Sequence, residues 1–478
     1  MAMSARTLLP LLVALVVYST VLARGSALLT DPDIYMHIAA GRWIIAHGAV
    51  PHADIFSHSM RGIPWVPHEW LSEVMIACIY DHAGWAGLVV LTALALALAT
   101  ALLARALLAY LAPAYALIGA TTAWGMCLPH LLARPHVLAY PLLVIWVAAL
   151  VRARCKDRAP SPFLALLVAL WANLHGSFMV GLALAALFAG EALFEAQDWA
   201  AARRAVSGWG LFGLLSVAAA FATPNGIAGA LLPFEMTRMD FTLSWITEWK
   251  SPDFQHAQPM EAWLMLVLLG ALTLGVRLPI TRIVMLLVLL HMALQHRRHG
   301  ELLGLATPLL VAPALAPQLP RSAAALGIAM FNRRPGGPML PAMATVAAVV
   351  GTFVLAAGAT ALRAGVTHAP DRITPSAALA AARQHQVTGP VFNDFNFGGF
   401  LIFSGVAPFI DGRADLYGDE FVSRYAKREE LPRLLSQYGI TWTLLGAEHP
   451  SVLLLDHMAG WRRLYSDPIA VIHVREDR

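Results

Sequence analysis

The residues best equipped for chemistry lie early in the chain. "DPDIYMH" (31–37) holds two carboxylates and an imidazole within one short segment. If a helix starts there, Asp31 caps it, Pro32 occupies its first turn, and Asp33 stands one turn from His37. A carboxylate kept from water beside a histidine has a raised pKa, as a general base working near neutrality requires. Asp33 is therefore the first catalytic candidate, with Asp31 and His37 beside it.

Further polar clusters supply groups that could hold a substrate. In "WVPHEW" (65–70), His68 and Glu69 precede an apolar stretch, where Glu69 would also favour a helix start and Trp70 an interfacial anchor. "ARPH" (133–136) offers Arg134 and His136; Pro135 accounts for a turn, whereas an arginine at that depth snorkels or binds an anion. "WANLHGS" (171–177) carries Asn173 and His175, with Gly176 free to permit a reversal. Lys250 lies in "EWKSPDF" (248–254). "QHRRHGE" (295–301) brings Arg297, Arg298 and His299 into one turn, a clamp suited to a phosphate or diphosphate. Its bland alternative is a basic turn touching lipid headgroups. Among His37, His52, His58, His68, His130, His136, His175, His296 and His299 no pair has a tight ligand spacing such as HExxH. No metal ligands are assigned, and a divalent cation beside a phosphate is left open.

The elements that must position these groups are membrane helices. Hydrophobic residues make up 58% of the chain and charged ones 13%, with a mean hydropathy of +0.64. A soluble chain would carry about 25% charge. Long apolar runs predict an all-α polytopic membrane protein of about eleven spans, over 7–28, 84–105, 113–132, 135–152, 160–176, 177–196, 207–223, 259–276, 280–295, 301–317 and 339–362. The first is too long for a signal-peptide core and reads as an uncleaved span. Thirteen basic residues on one side against eight on the other place the N-terminus in the cytoplasm. All the polar clusters above then fall on the outer side, where they predict a hydrated cavity. The spacing of Leu71, Val74, Met75, Cys78 and Ile79 predicts an interfacial helix over 71–79. Residues 34–47 and the outer loop 224–258 are expected to lie along the same surface, within outer loops 31–83 and 224–258.

Beyond a membrane domain of residues 1–365, residues 366–478 form a polar tail. "PVFND", "APFIDGR", "ITWTLLG" and "IAVIHVR" read as strands, "DEFVSRYAKREELPRLLSQYG" as helix, and Gly398-Gly399 and Asp411-Gly412 as turns. A small extracytoplasmic α/β domain follows. The net charge of +4 is too small and dispersed for nucleic acid. There is no Gly-rich phosphate loop, and Cys78, Cys127 and Cys155 have neither metal nor disulfide spacing. "DPD" also mimics the DxD of nucleotide-sugar enzymes, but nucleotide sugars are cytoplasmic and this loop is outside.

An acidic motif after the first span, interfacial helices, a polar late loop and an outer tail occur together in one known group. On "DPDIYMHIAAGRWIIAHG", "WVPHEWLSEV", "ARPH", "WANLHGSF", "TPNG", "EWKSPDF", "VFNDFNFGGFLI" and "IDGRADLYGDEF", the chain resembles the GT-C superfamily of integral-membrane glycosyltransferases, of ArnT- and protein-mannosyltransferase-like bacterial type. The resemblance implies transfer of a sugar from a polyprenyl-phosphate carrier to a glycan, lipid or protein acceptor, at the outer face of the bacterial cytoplasmic membrane. It makes the first-loop acid the base, on Asp33 with Asp31 as fallback, and puts phosphate-gripping groups by analogy on Arg134, Lys250, Arg297 and Arg298. A single displacement inverts the anomeric centre. Two other classes stay open: a transporter or flippase of a lipid-linked substrate, and a noncatalytic envelope-assembly protein. Against transport, the span interiors lack charged relay residues.

Overall fold

In the computed structural model, residues 5–319 and 371–476 are described, together with Ala356 and Ala369. Runs rich in Ala and Leu, good helix formers, become helices. The first are α1 (Ala5–Leu22), α2 (Asp33–His47), α3 (Trp70–Leu107), α4 (Pro113–Cys127), α5 (His136–Cys155), α6 (Ala165–Leu174) and α7 (Phe178–Phe194). After them come α8 (Trp199–Ala220), α9 (Gly226–Met236), α10 (Asp240–Trp245), α11 (Pro259–Leu274), α12 (Ile280–Gln295) and α13 (Gly300–Leu315). Among the described residues, α3 and α5 are each long and apolar enough to cross a bilayer, and α7, α11 and α12 are shorter apolar helices. Helices occupy the first ten expected spans, but their lengths do not fix the number of crossings. The eleventh, 339–362, lies outside the described residues apart from Ala356, as do Arg321, Arg333, Arg334 and the 365/366 boundary.

The bundle is apolar on its outside as well as its inside. Trp146, Trp171, Phe188 and Phe212 are fully buried, while Leu266, Leu268, Leu269 and Leu272 of α11 and Leu211 and Leu214 of α8 are exposed. A contiguous apolar exterior suits lipid rather than water.

Helix α3 is broken at Gly84, whose φ of 59° and ψ of −156° separate its first part from its long apolar part. The first part turns inward differently from what its apolar spacing predicts. Ser72, Glu73, Ile76 and Ala77 are buried, whereas Cys78 is exposed. The polar face is drawn in because it has partners there: Ser72 Oγ donates to the Leu174 carbonyl at 2.7 Å, and Glu73 meets His37.

The tail builds a four-stranded sheet in the order β1 (Val391–Asn393), β2 (Trp442–Gly446), β4 (Ala470–Arg475), β3 (Trp461–Ser466). β1 runs parallel to β2, and β4 runs antiparallel to both its neighbours. "APFIDGR" is not a strand; it crosses as a loop that buries Phe409 and Ile410 in the core and brings Gly412 and Arg413 to the site. The unexpected strand is β3, an edge strand with no buried residue and hence no alternating signal. The tail's apolar residues bury against the helical part. Phe397, Phe400 and Leu401 join Ile34, Tyr35 and Ile38, while Phe392, Phe409 and Leu445 join Met36, Ala40 and Trp65.

Candidate active site

A cavity of about 1060 Å³ opens where the polar clusters of the helical part meet the tail. Asp31, Asp33, His37, His68, Glu69, Arg134, Arg297 and Arg298 all line it. The sequence separates these residues by up to 267 positions; the fold brings them into one chamber.

The acidic wall starts at the turn into α2. Asp31 Oδ1 accepts the Asp33 backbone N–H at 2.8 Å just ahead of the helix, whose N-cap position is taken by Pro32 rather than by Asp31. Arg134, in the loop between α4 and α5, holds both acids: its Nε is 2.7 Å from Asp31 Oδ2 and its Nη2 2.8 Å from Asp33 Oδ2. Its third nitrogen, Nη1, meets Glu248 Oε2 at 2.5 Å. Burial pushes the Asp33 carboxyl up to about 7, helped by the charge of Asp31 and opposed by Arg134 and His37. Burial works against charge on Arg134 too, but Asp31, Glu248 and Asp33 hold it well above the usual arginine range.

Glu248 links this wall to the basic turn. Its Oε1 takes Arg298 Nη1 at 3.0 Å, and the Arg298 guanidinium lies 4.4 Å from the Trp249 ring centre. Burial disfavours its charge, yet Arg134, Arg298 and His130 keep it well below the usual carboxylate range. Arg297 is exposed on the cavity wall, its backbone N–H donating to the Lys250 carbonyl at 3.0 Å.

On the opposite flank Glu69 gathers histidines: His175 Nε2 at 3.4 Å, with His37 and His68 each at 3.9 Å. His37 Nδ1 is 3.3 Å from Glu73. Burial opposes a charged His37, but Glu73, Glu69 and Asp33 raise its pKa above the ordinary value. Trp70 Nε1 donates to Asn173 Oδ1 at 2.6 Å and so ties the junction of α6 and α7 to this flank.

The tail closes the chamber by direct contact with Asp33. A Cβ on Gly412 would lie 1.7 Å from Asp33 Oδ1, and one on Gly399 would lie 2.4 Å from the Pro32 carbonyl. Neither glycine has a positive φ, so close approach, not turn geometry, explains them. The Gly412 loop is fixed by a buried ion cluster. Arg413 meets Asp54 at 2.7 Å and Asp411 at 2.7 Å, Tyr417 donates to Asp411 at 2.8 Å, and the guanidinium lies 4.6 Å from the Trp65 ring centre. Asp415 also lines the chamber, its pKa raised by burial.

Four expected residues stand apart from the lining. His136 is buried behind it, and His175 is held between Glu69 and Ser177. Lys250 is exposed and does not line the chamber. His299 Nδ1 lies 3.2 Å from the Met292 carbonyl, and burial with the Arg298 charge lowers its pKa to about 4, so it is neutral at pH 7. The unforeseen contributors are Glu73, Glu248, Gly412 and Asp415. Of these Glu248 had a signal: two arginines in one outer turn call for an acid, and "EWKSPDF" holds one. The convergence of Asp31, Asp33 and Glu248 would suit a divalent cation, but the Arg134 guanidinium already fills that place.

No family model and no curated protein matches the chain. Solved structures do. The archaeal oligosaccharyltransferase AglB from Archaeoglobus fulgidus, in complex with an inhibitory peptide and a dolichol-phosphate, aligns at 11% identity and a TM-score of 0.53, over 92% of this chain and 69% of that one. ArnT from Cupriavidus metallidurans, bound to undecaprenyl phosphate, aligns at 13% identity and a TM-score of 0.50, over 97% of each chain. Both are GT-C superfamily membrane glycosyltransferases, and the chain shares their fold.

Proposed function

We propose that the protein is a membrane glycosyltransferase that moves a sugar from a polyprenyl-phosphate carrier to an acceptor at the outer face of a bacterial cytoplasmic membrane. The observation that carries this reading is one chamber holding Asp33, poised near neutrality, together with Arg297 and Arg298. Asp33 takes the proton of an acceptor hydroxyl as its oxygen attacks the anomeric carbon. The bond to the carrier phosphate breaks, and Arg297 and Arg298 stabilise the negative charge it gains. Arg134 orients Asp33 through Oδ2, while Oδ1 lies against the Gly412 backbone. A single displacement inverts the anomeric centre. The carrier-bound AglB and ArnT support the donor class.

The test is transfer or release of sugar from a panel of polyprenyl-phosphate sugars by the protein in lipid nanodiscs, followed by mass spectrometry. Wild-type turnover that falls by about 10² to 10⁴ in Asp33→Asn is the expected result. Full activity in that variant, or no binding of any carrier by folded protein, overturns the proposal.

A further inference from the structure

We infer that His130, on the chamber wall, and His136 and Glu301, behind it, form a binding site for one transition-metal ion of the zinc type. The inference stands on its own geometry and does not depend on the glycosyl-transfer reading.

Three separate elements deliver the ligands. His130 ends the short turn Leu128–His130 after α4, His136 begins α5, and Glu301 lies in the first turn of α13. Their sequence spacing is unlike any linear metal motif. In the fold, however, one nitrogen of each histidine and a Glu301 oxygen lie within 4.8 Å of one another. His130 Nδ1 is 3.0 Å from Glu301 Oε1, and His136 Nε2 is 4.0 Å from the same oxygen. Ligand atoms around a tetrahedral zinc stand about 3.3 Å apart. The two histidine-to-Glu301 distances stand on either side of that value, and the third separation is within 4.8 Å.

Two further observations point to a ligand. His136 is 7% exposed, and its Nε2 is buried without a hydrogen-bond partner. A buried ring nitrogen with nothing to bind is costly, and a metal would satisfy it. The other nitrogen of His130, Nε2, lies 3.1 Å from Glu248 Oε2. Metal-ligating histidines typically donate their second N–H to a carboxylate, which fixes the tautomer and aims the ligand nitrogen. Glu248 is placed to do this for His130. Two imidazoles and one carboxylate are a borderline donor set, suited to Zn²⁺ rather than to Mg²⁺ or Ca²⁺, and three protein ligands leave a coordination position open. A bound ion would tie α4, α5 and α13 together beneath Glu248 and thereby hold the carboxylate that spans Arg134 and Arg298.

The experiment is a Co²⁺ titration of the full-length protein in detergent, stripped with chelator and checked for folding by size exclusion. Visible absorption reports tetrahedral coordination. Wild type should take up one Co²⁺ per chain, released by Zn²⁺. His136→Gln and Glu301→Gln should each weaken uptake by about 100-fold or more. Asp33→Asn should leave it intact, because that carboxylate belongs to the Arg134 cluster. The inference is overturned if folded wild type binds no Co²⁺, if both ligand variants bind like wild type, or if Asp33→Asn abolishes uptake. None of these readouts requires a sugar donor, so failure here is separable from failure of the glycosyltransferase reading.

Discussion

Substituting Gly412 by Ala adds one methyl group at a residue with no functional atoms of its own, yet it should disable the site. The new Cβ would lie 1.7 Å from Asp33 Oδ1 and 2.5 Å from its Cγ, whereas ordinary contact begins at 3.4 Å. One of the two partners must retreat by about 1.7 Å if the Oδ1 contact is to become ordinary. The Gly412 loop is poorly able to do so, because Asp411 and Arg413 beside it are locked to Asp54 and Tyr417. Asp33 therefore yields, and its 2.8 Å contact with Arg134 is lost. Misplacing a reacting group by about 1 Å costs about 10²-fold in rate. Gly412→Ala should lower kcat by about 100-fold or more, about 2.7 kcal/mol in barrier. KM for the carrier should change little, since Arg297 and Arg298 are untouched. The assay is initial-rate sugar transfer in nanodiscs, with thermal unfolding measured on the same samples. Gly405→Ala is the control: Gly405 has a φ of 78° and open space around it, so that change should cost about 1 kcal/mol of stability and leave kcat alone. A folded Gly412→Ala protein with a kcat within about threefold of wild type would refute the wedge on which this reasoning rests.

Other perturbations test separate parts of the site. Because Asp33 titrates near pH 7 and must be ionised to accept a proton, kcat/KM should fall as pH drops below about 7. Arg134→Gln removes a charge that lowers that pKa, so the acid limb of the pH–rate profile should move to higher pH. Arg413→Met leaves Asp54 and Asp411 buried without their cation, and should cost about 3–5 kcal/mol, read as a lower unfolding midpoint. Arg298→Gln should weaken binding of a polyprenyl phosphate by about 10-fold, while Lys250→Gln, whose side chain lies off the chamber, should leave the measured Kd unchanged.

The sequence made the helices legible because their signal is local. An apolar run spells a helix whatever packs against it, and the observed bounds of α2, α5, α7 and α12 follow the expected ones within a few residues. The one misread face, in the first part of α3, went wrong because its polar residues found partners 36 and about 100 positions away. Asp33 and the Arg297–Arg298 turn were visible as polar groups where polarity is expensive. Their connections were not. That Arg134 would be shared by Asp31, Asp33 and Glu248 is a property of three loops meeting, and no spacing in any one of them encodes it. The glycines show the same limit from another side. Gly399 and Gly412 look like turn residues in a string of letters, but what demands them is the neighbour that arrives from the first loop.

The contact between Gly412 and Asp33 has a consequence for how the molecule comes into being. The ribosome makes the acidic loop well before residue 412. At about 5–20 residues per second, the interval is on the order of tens of seconds. Throughout it Asp54 lacks Arg413, the turn at Pro32 lacks its cover, and the chamber has no roof. A nascent chain thus lacks a complete chamber until its tail has been made. Completing the chamber is a docking event between segments made far apart in time.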